Sequence, residues 1–181
     1  AGHAADTIRA IQPDGLFIGL DQDKDAIGHA TAALEPYQQN TRLFHSNYSD
    51  LAQILAQAGI NAADAILLDL GFSLNQLTRS GRGFSFNKNE PLDMRMDTRN
   101  HLTAEQILKD YSEKQLADLF FKFGEERHAR RIARRIVKVR AEAPLTSSLE
   151  LASLVSGAVP TRHGPGRRIH PATRVFQALR I

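Results

Sequence analysis

Short apolar runs alternate with stretches of helical composition in the first part of the chain, and this alternation constrains the fold more than any other feature. The apolar runs cover residues 16–20, 42–45 and 65–70, and the stretches between them cover about 24–35 and 49–58. Strands that alternate with helices at this spacing predict strand–helix–strand units in a parallel sheet. The run at 65–70 is apolar on both faces until Asp69, which is typical of a central strand covered by helices. The sequence therefore predicts an α/β fold.

The pattern changes after Gly71. Residues 71–100 are rich in Gly, Asn, Arg and Asp without sustained periodicity, which predicts a long loop. Three later helix starts match a capping box: Thr103 with Gln106, Ser112 with Gln115, and Ser147 with Glu150. A buried stripe with helical spacing follows the second box, and Gly124 suits the end of that helix. The stripe consists of Leu116, Leu119, Phe120 and Phe123. Pro171 suits the first turn of a final helix.

Charge is divided unevenly between the two halves of the chain. Residues 1–90 hold 6 Lys and Arg against 10 Asp and Glu, a net of −4, and residues 91–181 hold 17 against 10, a net of +7. The basic half favours a polyanionic partner.

An amphipathic helix with a basic outer face is predicted over Glu125–Glu142. Its cations are Arg127, Arg130, Arg131, Arg134, Arg135 and Lys138. Like charges four residues apart repel one another, and the phosphates of a nucleic acid would remove that penalty. We therefore expect nucleic-acid binding through phosphates rather than bases, because no aromatic residue is interleaved. A merely solvated face is the alternative.

Composition and motifs exclude several classes of protein. No apolar run reaches the ~18 residues of a membrane helix, and a chain without cysteine forms no disulfide or thiolate metal site. The histidines lack metal-ligand spacing, so no metal site is predicted, and no nucleophile elbow, Walker loop or zincin motif is present. A cytoplasmic protein is expected. Neither end carries a helix cap or stop signal, so a fragment of a longer protein is also expected.

Asp21 directly follows the predicted strand at 16–20. In nucleotide-binding α/β folds an acidic residue at a strand end accepts hydrogen bonds from ribose hydroxyls. A solvated aspartate that caps the next helix is the alternative. Gly2 and His3 precede a helical stretch at about 3–11, where a glycine lets the backbone approach a cofactor. A frayed terminus is the alternative there.

Asp69 ends the predicted strand at 65–70, and ligands bind outside the carboxyl ends of parallel strands. Because an unpaired buried carboxylate is costly, a purely structural role is the less favoured interpretation. Gln76 lies just beyond, within reach of the same crevice, and an exposed loop glutamine is the alternative.

Four further motifs occur in order along the chain. They are Gly81-Arg82-Gly83-Phe84-Ser85-Phe86, Pro91-Leu92-Asp93-Met94-Arg95-Met96-Asp97, Gly124-Glu125-Glu126-Arg127 and His170-Pro171-Ala172-Thr173-Arg174-Val175-Phe176-Gln177. With Asp69-Leu70-Gly71, they make the chain resemble the bacterial 16S ribosomal RNA cytosine-N4 methyltransferase family (RsmH, also called MraW) over essentially its whole length. Compared with that family, the chain is expected to lack the N-terminal strand, most of a glycine-rich loop and everything after the final helix.

The resemblance implies a Rossmann-like, S-adenosylmethionine-dependent methyltransferase sheet, here partial, with an inserted all-helical domain. Residues 1–86 would form the cofactor-binding core, residues 87–170 the inserted RNA-recognition domain, and residues 171–181 the return to the core. The implied reaction moves a methyl group from S-adenosyl-L-methionine to the exocyclic N4 amine of a cytidine in small-subunit ribosomal RNA. The implied partner is that RNA or the small ribosomal subunit.

The resemblance also implies site residues. The cofactor-binding positions are Ala1, Gly2, His3, Asp21, Tyr48, Asp69 and Gln76. Asp21 would hold the ribose, Tyr48 would pack on adenine, and Asp69 and Gln76 would line the methionine end or the adjoining wall. From the chemistry of the amine itself, we also expect Asp69 to be its catalytic hydrogen-bond acceptor. The chain departs from the family at Phe72-Ser73-Leu74-Asn75, where the family reads closer to Val-Ser-Ser-Pro.

Two other function classes stay open at this point. Asp21 by itself also permits a nicotinamide-dependent oxidoreductase, because such enzymes bind a ribose in the same way. A truncated chain also permits an RNA-binding module without catalysis.

Overall fold

The computed structural model describes residues 2–160 and 169–180, and these fall into two compact units. The sheet unit contains the chain up to Asp69 together with Met96–Arg99. The helical unit contains Leu70–Arg95 and the chain from Asn100 onward. Ala1, one of the predicted cofactor positions, lies outside the described residues.

The sheet unit is built on one parallel strand pair. In chain order its elements are α1 (Gly2–Ile11), β1 (Phe17–Asp21), α2 (Lys24–Ala33), a 3-10 helix (Glu35–Asn40), β2 (Thr41–His45), a second 3-10 helix (Tyr48–Asp50) and α3 (Leu51–Gln57). The register runs from Phe17 opposite Thr41 to Asp21 opposite His45. The strands predicted at 16–20 and 42–45 are therefore confirmed, as is the mixed α/β character of the fold.

The strand predicted at 65–70 is not formed. Residues 61–70 are exposed and carry no regular secondary structure, and Ile66, Leu67 and Leu68 are 61–68% exposed. A strand satisfies its backbone N–H and C=O groups only through a neighbouring strand. Among the described residues, none forms a backbone hydrogen bond with this segment. The strand prediction is therefore wrong for the described chain, because apolar composition does not by itself provide a neighbouring strand.

The helical unit contains six helices within the described residues. They are α4 (Leu74–Arg79), α5 (Ala104–Asp110), α6 (Glu113–Gly124), α7 (Ala129–Arg140), α8 (Ser148–Ala158) and α9 (Thr173–Arg180). The three predicted capping boxes are confirmed. The stretch 71–100 is not wholly loop, because a fourth capping box, Ser73 with Gln76, begins α4.

The core of the helical unit joins α6, α7 and α9. Leu116 and Phe120 are fully buried as predicted, whereas Phe123, near the end of α6, is 36% exposed and does not join them. Gly124 lies against α9 so closely that a Cβ would overlap the carbonyl oxygen of Arg174. That approach requires a glycine, and α6 ends at the same residue.

The basic helix is shorter than predicted. Glu125 adopts a left-handed conformation (φ 52°) that ends α6, and α7 begins only at Ala129. Arg127 therefore lies in the connection between the two helices rather than on α7.

The two compact units meet in sequence at Asp69 and Leu70, not at residues 86 and 87. Compactness does not by itself identify an inserted domain, so the predicted boundaries at 1–86, 87–170 and 171–181 stay a prediction.

Candidate functional site

The candidate site of the sheet unit lies at the carboxyl ends of β1 and β2. Asp21 is the last residue of β1, and its Oδ1 accepts the backbone N–H of Asp23 at 2.8 Å. Asp23 is the cap of α2, because its own Oδ1 accepts the backbone N–H of Asp25 at 3.1 Å. The alternative in which Asp21 caps the next helix is therefore wrong. Among the described residues, no hydrogen-bond donor occupies the second carboxylate oxygen of Asp21.

Partial burial raises the pKa of the Asp21 carboxyl above its usual value. The hydrogen bond from the Asp23 backbone and the His45 ring oppose this shift, and the Asp23 carboxylate adds to it. A partly desolvated carboxylate with a free oxygen is suited to accept hydrogen bonds from neutral hydroxyls such as those of a ribose.

Tyr48 follows β2 at the same edge of the sheet. It is the first residue of a 3-10 helix whose cap is Asn47, and the Asn47 Oδ1 accepts the backbone N–H of Ser49 at 3.0 Å. The side chain of Tyr48 is 62% exposed. An exposed aromatic ring can pack on a planar group such as a purine.

Several residues that sequence reasoning missed also line this edge. The Gln22 side chain donates to the Met96 sulfur at 3.3 Å and accepts from the Asn47 amide at 3.1 Å. Arg99 donates to the His45 carbonyl oxygen at 3.4 Å. These contacts join residues far apart in sequence, and of the residues involved only Met96 falls in a sequence motif, the one at 91–97.

The remaining predicted cofactor positions of this unit are not brought to that edge by any described contact. Gly2 and His3 are the first residues of α1, and both are exposed. Asp69 is exposed within the irregular segment 61–70. Its assignment to the site stays a prediction.

Gln76 belongs to the helical unit, where it is 8% exposed. Its Oε1 accepts the backbone N–H of Ser73 at 2.7 Å, and the Ser73 Oγ accepts the backbone N–H of Gln76 at 3.2 Å. The exposed-loop alternative is therefore wrong, because the side chain caps α4.

The departure from the family pattern at residues 72–75 coincides with a cation–aromatic contact within the helical unit. The guanidinium of Arg180 lies 4.7 Å from the ring centre of Phe72 and donates to the carbonyl oxygen of Phe84. Burial lowers the pKa of Arg180 to about 10. Phe72 therefore has a packing partner that the sequence did not reveal.

The predicted basic surface is exposed as expected. All six of its cations are exposed, whereas Ala129, Ile132, Ala133 and Ile136 are buried on the opposite face. These cations are Arg127, Arg130, Arg131, Arg134, Arg135 and Lys138. Arg134 pairs with Glu113 at 3.4 Å, which offsets part of the charge. Nucleic-acid binding by this surface stays a prediction.

Two negative findings apply to the described part of the chain. None of its helices is long and apolar enough to cross a membrane. No group of three or more His, Asp or Glu side chains within it could hold a metal ion.

Comparison with known proteins identifies close relatives. A family model described as the MraW methylase family matches residues 1–181. The chain is 51% identical over 181 residues to a protein named ribosomal RNA small subunit methyltransferase H from Desulforapulum autotrophicum, covering 100% of this chain and 58% of the relative. It is 52% identical over 180 residues to the protein of that name from Syntrophotalea carbinolica, covering 99% of this chain and 57% of the relative. The chain thus spans somewhat more than half the length of these relatives.

Proposed function

The chain belongs to the MraW methylase family, and we propose that the protein transfers a methyl group from S-adenosyl-L-methionine to the exocyclic N4 amine of a cytidine in small-subunit ribosomal RNA. The observation that carries this proposal is the match over the whole chain to proteins named for methylation of that RNA. A ribosomal RNA substrate also implies a cytoplasmic location.

The edge formed by Asp21 and Tyr48 supports S-adenosylmethionine as the methyl donor. The free oxygen of Asp21 suits the ribose hydroxyls, and the exposed ring of Tyr48 suits the adenine. When bound, this cofactor supplies an electrophilic methyl group. Gly2 and His3, the first residues of α1, are assigned to the cofactor site by the family resemblance alone.

Holding the amine is the main chemical task of the protein. The N4 amine of cytosine is a poor nucleophile, because its lone pair is delocalised into the ring. A site must therefore hold it in line with the methyl group at near-attack distance. We assign to Asp69 the role of hydrogen-bond acceptor for this amine, which would stabilise positive charge that develops on nitrogen. The base must also leave its stack, for which the segment 71–100 is the proposed clamp.

The cofactor assignment is tested by equilibrium binding to a protein extended to the full length of the relatives. S-adenosylmethionine should bind, and NAD should not. Radiolabelled methyl transfer to small ribosomal subunits should follow, and digestion of the RNA should place the label on cytidine. Preference for NAD would end the proposal in favour of an oxidoreductase. RNA binding without methyl transfer would favour the binding-module alternative.

The RNA partner is tested by removing charge from α7. Replacing Arg130, Arg131, Arg134 and Arg135 with Gln should leave the fold intact, because all four are exposed. RNA binding should weaken, and the slope of log affinity against log salt should shrink by up to ~3. Since Arg134 already pairs with Glu113, it should contribute least.

A matched control removes four exposed cations elsewhere. They are Arg79, Lys109, Lys114 and Lys122. If the α7 variant and the control keep the same salt slope as the parent, the basic surface is merely solvated.

A further inference from the structure

A surface cavity of about 420 Å³ lies between α6 and α7 inside the helical unit. Its α6 wall includes Asp118 and Phe121, and its other wall includes Arg127, Arg130 and Arg131. The volume falls in the range of cavities that accept small molecules or single groups of a larger ligand. The function proposed above counts the three arginines of this cavity in the basic surface but gives its α6 wall no role.

Phe121 presents an open aromatic face at the cavity. Its side chain is 68% exposed, although α6 buries Leu116, Ala117 and Phe120 in the core. Within the described residues, neither a ring nor a cation stacks on Phe121, whereas the neighbouring Phe123 ring lies 5.1 Å from the Lys122 ammonium. An open ring at a cavity offers a flat face on which a planar ligand can stack.

The arginine wall has unoccupied donors. Arg127, Arg130 and Arg131 are exposed, and none has an ion-pair partner in the part of the chain that the structure describes. Each guanidinium offers a planar fork of N–H donors that matches phosphate geometry. The adjoining cations of α7 continue this charge along the helix.

The acidic groups of the cavity indicate which wall can bind a base and which can bind phosphate. Asp118 lies one helical turn before Phe121, so both side chains share one face of α6. A carboxylate there repels phosphate but accepts hydrogen bonds from the amino group of a base. Glu126 is buried, and its Oε1 already accepts the backbone N–H of His128 at 2.8 Å. The groups that can bind a base therefore lie on α6, and the groups that can bind phosphate lie on the opposite wall.

We propose that this cavity binds one unstacked base of single-stranded RNA, with the base on Phe121 and the flanking phosphates on Arg127, Arg130 and Arg131. The proposal rests on the proposed function in taking RNA as the partner. It revises the expectation of binding through phosphates alone, because α6 supplies the aromatic residue that the basic helix lacks. In a duplex the base faces are stacked and cannot reach Phe121, so the cavity selects single strands.

The test compares two substitutions at one exposed position. Phe121→Leu keeps an apolar side chain without a stacking ring, and Phe121→Trp keeps the ring. Fluorescence anisotropy would measure the affinity of each variant for a single-stranded cytidine dodecamer and for an RNA duplex. Leu149→Ala, a substitution at another exposed apolar residue outside the cavity, serves as a control.

Phe121→Leu should weaken single-strand binding about tenfold and leave the salt slope unchanged, since one stacked base is lost but no charge is removed. Duplex binding should stay within about twofold of the parent. Phe121→Trp and Leu149→Ala should bind the single strand as the parent does. Parent-like single-strand affinity in Phe121→Leu, or an equal loss on the duplex, would overturn the proposal, as would a parent chain that binds no single strand.

This test distinguishes a failure of the cavity proposal from a failure of the proposed methyl transfer. If the full-length parent methylates ribosomal RNA but Phe121→Leu binds single strands normally, the cavity proposal alone fails. If the parent transfers no methyl group but the Phe121 effect persists, the proposed reaction fails and the cavity proposal stands.

Discussion

The sheet unit and the helical unit differ in how many apolar side chains they bury. In the helical unit, α5 to α9 share a continuous core that includes Phe120, Ile136 and Phe176. In the described part of the sheet unit, the buried apolar side chains are Ile8, Leu34 and Ile54. A helix satisfies its own backbone hydrogen bonds and needs only a packing partner. A strand needs a hydrogen-bonded neighbour as well, and the apolar residues 65–70, which have none among the described residues, are exposed.

The largest expected effect compares the two cores directly. Phe120→Ala should destabilise the helical unit by about 3–5 kcal/mol, because it empties a fully enclosed site. Ile54→Ala in α3 should cost the sheet unit about 2 kcal/mol, at the low end for such a change, because few buried side chains surround it. Hydrogen exchange followed by mass spectrometry would report each unit separately. Equal losses in both units would contradict the contrast between their cores.

The next largest effect is on cofactor affinity at the carboxyl ends of β1 and β2. Asp21→Ala in a full-length protein should weaken S-adenosylmethionine binding by roughly 1.5–3 kcal/mol, since hydrogen bonds to a charged group are lost. Asp14→Ala, at an exposed turn before β1, should leave binding unchanged. Calorimetry would measure both affinities. Unchanged affinity in Asp21→Ala would remove this carboxylate from the cofactor site.

A smaller effect is expected from the helix caps. Ser112→Ala should destabilise the helical unit by about 1 kcal/mol, because the backbone N–H of Gln115 loses its acceptor at the start of α6. Ser112→Gly should cost only a few tenths of a kcal/mol. Urea denaturation of both variants would measure the difference. A loss in Ser112→Ala no larger than in Ser112→Gly would argue against the cap as a source of stability.

The pH dependence of the sheet unit should include a contribution from Met96–Arg99. The hydrogen bond from Arg99 lowers the pKa of Asp97 to about 2. A depressed carboxyl pKa stabilises the fold above the unfolded pKa near 4, and this contribution is lost as the pH falls toward 2. NMR titration should show the low pKa in the parent and a value closer to 4 in Arg99→Gln. An unchanged Asp97 titration in Arg99→Gln would assign the shift to another cause.

The smallest expected effect on stability comes from the exposed segment 65–70. Leu68 is 61% exposed, so Leu68→Ala should change the free energy of unfolding by less than about 0.5 kcal/mol. Thermal denaturation of this chain would measure it. A loss of 2 kcal/mol or more would show that the segment is packed in solution.

Local signals in the sequence predicted most of the helical unit. The capping boxes at Thr103, Ser112 and Ser147 each involve residues three apart, and all three are confirmed. The left-handed conformation of Glu125 has no sequence signal, because nothing in that residue type requires a positive φ. The sequence therefore predicts a basic helix that begins four residues before the observed start of α7 at Ala129.

Long-range contacts limited the prediction of the candidate site. Asp21 was placed correctly at a strand end, and the structure gives the helix cap to Asp23 instead. The contacts of Gln22 with Asn47 and Met96 depend on the folded chain and leave no periodic signal. Segment 65–70 shows the same limit, because strand composition does not supply a partner strand.

The segment Met96–Arg99 also affects the order in which the protein can fold during synthesis. It belongs to the sheet unit although the rest of that unit ends at Asp69. A ribosome synthesises the chain from the N-terminus, and early regions usually fold first. The sheet unit cannot acquire its Met96 and Arg99 contacts until about thirty further residues have been made. Nascent chains stalled with residues 96–99 inside the ribosome and with these residues fully outside it should therefore differ in how well β1 and β2 resist proteolysis.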